Sequence, residues 1–140
     1  MRLTKNFVLD EFLYSDFYDT EQQQRVMESF IDNESELLTN ITELAKNLQV
    51  LRDYLKRPIH INIAYRPKWY ELLKGRSGGS KHVLGMAADI RVKGLSTSKV
   101  RAAIEYLISI GKMKQGGIGK YNTFTHFDIR GYTARWDFRK

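Results

Sequence analysis

The first third of the chain carries apolar residues at helical spacing. A polar stretch at Glu21–Gln24 opens one predicted helix, TEQQQRVMESFI. A longer helix is predicted from about Glu34 to Leu55, because large aliphatic residues recur there every three or four positions and share one buried stripe. Asn33 is the predicted N-cap, and the Arg57–Pro58 pair ends the helix because the residue before a proline avoids helical geometry. The stripe consists of Leu37, Ile41, Leu44, Leu48, Leu51 and Leu55.

Alternating apolar and polar residues replace the helical pattern over residues 58–65. Alternation places successive side chains on opposite faces of a strand. We therefore expect a strand whose apolar face packs against the helices and whose other face carries mainly polar groups. The apolar face consists of Ile59, Ile61, Ile63 and Tyr65, and the other face of His60, Asn62, Ala64 and Arg66.

The rest of the chain predicts short elements around a small sheet. Helices come first and strands later, an order typical of an α+β domain in which N-terminal helices pack on a small, mainly antiparallel sheet. The predicted elements are a short helix at 68–74, a glycine-rich loop at 75–80, a strand at 86–92, a helix at 96–111 and an antiparallel hairpin formed by 116–121 and 124–130.

The composition is that of a compact globular chain, since 42% of its 140 residues are hydrophobic and 28% are charged. We expect a single domain over residues 1–140, with a helical part at 1–56 and the sheet with the remaining helices at 57–140. The absence of cysteine excludes disulfides, thiolate zinc sites and a cysteine nucleophile, so any metal is bound by nitrogen and oxygen. No apolar run has the length of a signal peptide or a membrane span, so we expect synthesis in the cytoplasm without a signal peptide.

Basic residues are concentrated in the last ninety residues. Residues 1–56 carry 6 basic and 11 acidic side chains, whereas residues 91–140 carry 11 basic and 3 acidic ones. A basic surface attracts polyanions of any kind, including nucleic acid, a membrane surface or an anionic cell-wall polymer. Charge alone leaves these three partners open.

Two of the three histidines lie near acidic residues in patterns that suggest a site. His82 lies seven positions before Asp89. On a continuous helix this separation is two turns, or about 10 Å, too far for both side chains to reach one ion. A chain reversal at Gly85, with Asp89 on the following strand, lets the two side chains converge. His60 is interpreted as a structural or rim histidine.

The late segment FTHFDIR brings a histidine and a carboxylate onto one face of a predicted strand. Apolar residues on its opposite face anchor the strand to the core, as a metal site or catalytic pair requires. The polar face consists of His126, Asp128 and Arg130, and the apolar face of Phe127 and Ile129.

His82, Asp89 and His126 together match a three-ligand catalytic zinc site whose fourth position is open for water. Histidines beside acidic residues are also common in proteins without a metal, so the spacing leaves both interpretations open. The glycine-rich loop 75–80 is likewise either a flexible rim or an anion cradle, and it lacks the P-loop pattern.

Three segments follow one another along the chain: IAYRP at 63–67, GGSKHVLGMAADI at 78–90 and FTHFD at 124–128. In this order they resemble the zinc D-alanyl-D-alanine carboxypeptidase family, metallopeptidase family fifteen, which shares its fold with the signalling domain of hedgehog proteins. The opening LTKNF resembles small phage-type members, and GGIG at 116–119 resembles murein endopeptidase relatives. The combination is specific, whereas each motif alone is weak.

The resemblance implies a hedgehog-type fold, a Zn²⁺ cofactor, and zinc ligation by His82, Asp89 and His126. It also implies that Arg66 steadies the substrate carbonyl or the developing oxyanion.

The chain departs from the family at the catalytic acid. Many members place this acid three residues before the last zinc histidine, where this chain has Thr123. Asp128 is the predicted substitute, because it is the carboxylate nearest His126 in sequence and shares its face. The alternative is that Asp128 orients a zinc histidine or pairs with Arg130.

The resemblance predicts a zinc-dependent peptidoglycan peptidase that hydrolyses stem peptides or cross-links containing D-amino acids, as a carboxypeptidase or a phage lysin-like endopeptidase. The alternative is a non-catalytic wall-binding or virion-structural module that keeps the peptidase fold. We expect peptidoglycan as the partner, no nucleic acid and a monomer. The protein is expected to act at the bacterial cell wall after release, or as a virion component.

Overall fold

The computed structural model describes residues 1–140 and contains five α-helices, one 3₁₀ turn and five strands. The helices are α1 (Asp10–Leu13), α2 (Thr20–Asp32), α3 (Glu34–Leu55), α4 (Lys68–Leu73) and α5 (Thr97–Ser109), and the 3₁₀ turn spans Lys81–Leu84. The strands are β1 (His60–Ile63), β2 (Ala87–Arg91), β3 (Gly117–Lys120), β4 (Thr125–Asp128) and β5 (Ala134–Asp137).

The five strands form one sheet in the order β1-β2-β4-β3-β5. Every neighbouring pair is antiparallel except β3 and β5, which run parallel. The predicted α+β class and the predicted hairpin of β3 and β4 are confirmed. The parallel strand β5 was not predicted.

The helical prediction is confirmed for α3, whose bounds match the apolar stripe. Asn33 occupies the predicted N-cap position of α3, but its side-chain amide donates to the Ser29 carbonyl at 3.1 Å and makes no capping bond. The helix α2 begins at Thr20, where Asp19 and Gln22 form a capping box. No helix combines the length and the hydropathy that a membrane-spanning helix needs.

The two faces of the sheet differ in chemistry. One face packs on the helices and contributes Ala88, Ile90, Ile118 and Phe127 to the main hydrophobic cluster. Because side chains alternate along a strand, Asp89, His126 and Asp128 project from the other face. The core therefore supports the strands that carry the candidate site residues.

Candidate metal centre

A tight turn brings His82 next to β2. The Ser80 hydroxyl caps the 3₁₀ turn by accepting from the His82 backbone N–H at 3.2 Å. Gly85 ends the turn with a φ of 71°, a left-handed conformation that favours glycine. The chain then reverses into β2, which carries Asp89. The predicted reversal at Gly85 is thus present.

Asp89 lies between the two histidines. Its Oδ1 atom is 3.2 Å from His82 Nε2 and 3.1 Å from His126 Nδ1. Asp89 and His126 are direct partners in the β2–β4 ladder, so the sheet register sets their proximity. All three residues are buried, and their ligand atoms lie within 4.8 Å of one another.

The His82 ring presents a lone pair to Asp89. Its Nδ1 atom lies 2.7 Å from the Ala64 carbonyl oxygen, which can only accept, so the proton is on Nδ1. Nε2 is then an acceptor, and it is buried with no hydrogen-bond partner. Burial also lowers the pKa of His82, which keeps the ring neutral. A lone pair facing a carboxylate oxygen is repulsive, and a cation bound by both atoms relieves that repulsion.

The second imidazole has the matching arrangement. His126 Nε2 donates to Asp128 Oδ2 at 2.7 Å, and Nδ1 faces Asp89. Burial alone would lower the pKa of His126, but hydrogen bonds to Asp128 and Asp89 outweigh it and raise the pKa. Burial also opposes ionisation of Asp89, yet His82 and His126 hold its pKa well below its ordinary value. The pocket therefore favours positive charge beside an ionised Asp89.

This donor set fits zinc. Two ligand atoms, each about 2.0–2.1 Å from a tetrahedral zinc ion, lie about 3.3 Å apart. The separations of 3.2 and 3.1 Å between Asp89 Oδ1 and the two imidazole nitrogens are close to that value. Two imidazole nitrogens and one carboxylate are also ligands that zinc prefers.

Asp128 lies behind His126 rather than in the cleft. Its side chain is 0% exposed, and its two oxygens accept from His126, from the Gly117 backbone N–H at 2.9 Å and from Arg130 Nε and Nη2 at 2.8 and 2.7 Å. A Cβ at Gly117 would collide with this carboxylate, so glycine is needed there. The arrangement favours an orienting role, because a general base needs a lone pair free toward the substrate.

The cluster opens into a cleft of about 740 Å³. Asp89 is the only carboxylate among its lining residues, and Thr123 is not among them. The lining residues include four basic side chains, Arg66, Arg76, Lys81 and Arg130, and five aromatic ones, Tyr121, Phe124, Tyr132, Trp136 and Phe138.

Sequence reasoning missed the carboxylate that holds two of these basic side chains. Glu71 on α4 is 0% exposed, and its Oε2 lies 3.3 Å from Arg66 Nε and 3.0 Å from Arg76 Nη1. The sequence offered one indication that Glu71 is important: Glu71 and Asp89 are the only acidic residues between 57 and 90. Trp136 was missed because it lies on the unpredicted strand β5.

The structure thus brings together His82, Asp89, His126 and Arg66 in one cleft, whereas Asp128 reaches it only through His126. His60 is exposed and lies outside the cluster. Among curated proteins, none matches the chain. A family model described as Peptidase M15 matches residues 10–128, which includes every residue of the cluster. The chain therefore belongs to the peptidase M15 family of metallopeptidases.

Proposed function

We propose that this protein is a zinc-dependent peptidoglycan peptidase that hydrolyses stem peptides or cross-links containing D-amino acids. The observation that carries the proposal is the pair of imidazole nitrogens aimed at one oxygen of Asp89 inside a cationic cleft. In this proposal His82, Asp89 and His126 hold the metal. Membership of the M15 family supports the peptidase reaction.

The protein groups around the ligands fix their orientation and protonation. A bound zinc ion supplies a Lewis acid that activates water and polarises the peptide carbonyl. The Ala64 carbonyl holds the proton of His82 on Nδ1, which leaves Nε2 free for the metal. Asp128 accepts the hydrogen bond from His126 Nε2, which leaves His126 Nδ1 free for the metal. We therefore assign Asp128 an orienting role.

Arg66 is placed to act on the substrate. Its Nε faces Glu71, and its terminal nitrogens make no hydrogen bond within the protein. We propose that they bind the substrate carbonyl and stabilise the oxyanion that develops there. Arg66 lines the same cleft as the three proposed metal ligands, so both can reach one carbonyl bound there.

The remaining cleft residues suit an anionic peptide attached to a sugar polymer. Arg76, Lys81 and Arg130 offer positive charge to the carboxylates of a stem peptide, and the only acid facing them is Asp89. The aromatic wall offers flat apolar surfaces for sugar rings or methyl side chains. This combination supports peptidoglycan over a neutral peptide as the substrate and the cell wall as the place of action.

The test combines metal analysis with digestion of purified bacterial sacculi. We expect about one zinc per chain, and we expect mass spectrometry to detect released peptides that contain D-amino acids. His82→Ala and Asp89→Ala should lose both zinc and activity, because each removes a ligand. His60→Ala is the matched control, since it removes an exposed histidine outside the cluster. Zinc-loaded parent protein that leaves sacculi intact would contradict the proposal.

One observation favours a second candidate, a non-catalytic wall-binding or virion-structural module. Asp89 is the only carboxylate that lines the cleft, and position 123 carries threonine. The cleft therefore offers no second carboxylate to accept a proton from water. Zinc-loaded protein that sediments with sacculi and releases no peptide would support this module, and peptide release by the parent would exclude it.

A further inference from the structure

A second cavity lies on the helix-facing side of the sheet, between α5 and the edge formed by β3 and β5. Its volume is about 560 Å³. It shares Trp136 with the metal cleft and none of the other residues of that cleft. Its charged lining residues are Arg101, Glu105, Lys120, Arg135 and Asp137.

Arg101 lines this cavity and forms no ion pair with a carboxylate of the chain. The residue is 8% exposed, and its Nη1 atom is fully buried with no hydrogen-bond partner. No carboxylate lies within ion-pair distance of it. A buried, unpaired guanidinium is costly, and such groups are normally paired with an anion.

The acidic residues that could pair with Arg101 are already bound by other arginines. Glu105 lies one helical turn after Arg101 on α5, but it accepts from Arg135 Nε and Nη2 at 3.0 and 2.8 Å. Asp137 accepts from Arg139 Nε and Nη2 at 2.9 and 2.6 Å. No acidic side chain of this cavity is therefore paired with Arg101.

We propose that this cavity binds a phosphate group through Arg101 and Lys120. A phosphate carries up to two negative charges and several acceptor oxygens, which matches two cations better than a carboxylate does. Ile118 and Ala102 add a small apolar surface, which suits the organic part of a phosphate ester. The site contains none of the three proposed metal ligands and does not depend on the proposed peptidase activity.

The first test measures phosphate binding to the zinc-loaded full chain by calorimetry at constant ionic strength. Inorganic phosphate and glycerol 3-phosphate distinguish the free ion from an ester, and acetate tests for a carboxylate site. Arg101→Met should weaken phosphate binding about tenfold or more, because it removes a charge-assisted hydrogen-bond donor and keeps the apolar stem. Lys120→Gln should weaken it less. Lys99→Gln is the matched control, since Lys99 is exposed on the same helix and does not line the cavity.

Several results would overturn the proposal. Phosphate binding that persists in Arg101→Met and is lost in His82→Ala would place the anion at the metal cluster. Acetate binding as tight as phosphate binding would contradict the choice of ligand.

A second measurement covers the risk that Arg101 is needed for folding. In phosphate-free buffer, Arg101→Met should be at least as stable to heat as the parent, because it removes a buried unpaired charge. Added phosphate should raise the melting temperature of the parent, of Lys99→Gln and of His82→Ala, but not that of Arg101→Met. An Arg101→Met variant that is strongly destabilised without phosphate would show that Arg101 serves the fold alone.

Discussion

On each face of the sheet lies a buried nitrogen atom without a hydrogen-bond partner. One of these atoms is an acceptor and the other is a donor. On the cleft side, His82 Nε2 presents a lone pair to a carboxylate oxygen 3.2 Å away. On the helix side, Arg101 Nη1 presents a hydrogen to no acceptor. A buried polar group without a partner costs about 1–3 kcal/mol, and more when charged. The first atom calls for a cation and the second for an anion.

The two sites differ in how many hydrogen bonds from the rest of the protein hold their residues in place. The cleft-side cluster is held by contacts from several elements, including the Ala64 carbonyl, the Gly117 N–H and the Asp128 carboxylate. The helix-side cavity has no such scaffold, because its acids are occupied by Arg135 and Arg139. We therefore expect a strong, specific cation site and a weaker anion site.

The largest expected effect is on the cation side. Zinc present at about 1,000 times its Kd should stabilise the fold by about 4 kcal/mol, which corresponds to a rise in Tm of roughly 10 °C. The gain should be absent in Asp89→Ala and retained in Arg101→Met, as measured by thermal unfolding with zinc and with a chelator. An equal gain in Asp89→Ala would mean that zinc binds elsewhere.

The next prediction concerns Asp128 and separates its two possible roles. Asp128→Asn should weaken zinc binding about 10–100-fold, the usual effect of removing a partner that orients a metal-binding histidine. Gly117→Ala should weaken it as well, because the added Cβ collides with the Asp128 carboxylate. Competition with a chromogenic chelator measures both affinities. Asp128→Asn protein that keeps its zinc affinity and loses peptide release would instead support the general-base role.

A smaller effect is expected from Glu71, which holds cleft residues without contacting the metal ligands. Glu71→Gln removes the charge that faces Arg66 Nε and Arg76 Nη1. We expect kcat/KM for a carboxylate-bearing stem peptide to fall about tenfold, or about 1.4 kcal/mol, with zinc affinity unchanged. For a stem peptide whose free carboxylate is replaced by an amide, kcat/KM should fall less. Equal losses for both substrates would contradict the anchoring role of the two arginines.

The sequence predicted the parts of the site that depend on local geometry. A glycine at position 85 predicts the reversal that brings His82 to Asp89, and alternation in β4 predicts that His126 and Asp128 share a face. These inferences need only the period of a strand and the conformational freedom of glycine.

Long-range pairing decided what the sequence could not show. Strand β5 has four residues, two of them charged, and it pairs in parallel with β3 seventeen positions upstream, so its pattern is too short to predict. One of the hydrogen bonds that occupy the Asp128 carboxylate comes from the backbone N–H of Gly117 on the neighbouring strand. Burial of Arg101 follows from the packing of α5 against the sheet, and a single arginine beside Val100 gives no sign of it. Side-chain partners across strands and helices require the three-dimensional fold.

The smallest expected effect tests the anion side through the Glu105–Arg135 pair. Hydrogen bonds from Arg135 hold the pKa of Glu105 below its ordinary value, so the pair stabilises the fold at neutral pH and its contribution is lost as the pH falls through that lowered pKa. The Glu105 side chain is 51% exposed, so Arg135→Gln should cost below about 1 kcal/mol at neutral pH. An NMR titration should show the Glu105 pKa rising toward its ordinary value.

The same substitution frees Glu105 to pair with Arg101, one turn away on α5. Phosphate binding should then weaken, because the carboxylate competes for the guanidinium that the anion needs. Calorimetry of Arg135→Gln at neutral pH measures this, and Glu105→Gln in the same background should restore binding. If binding stays weak in that double variant, Arg135 itself contacts the phosphate and the assignment of Arg101 as its main partner is wrong.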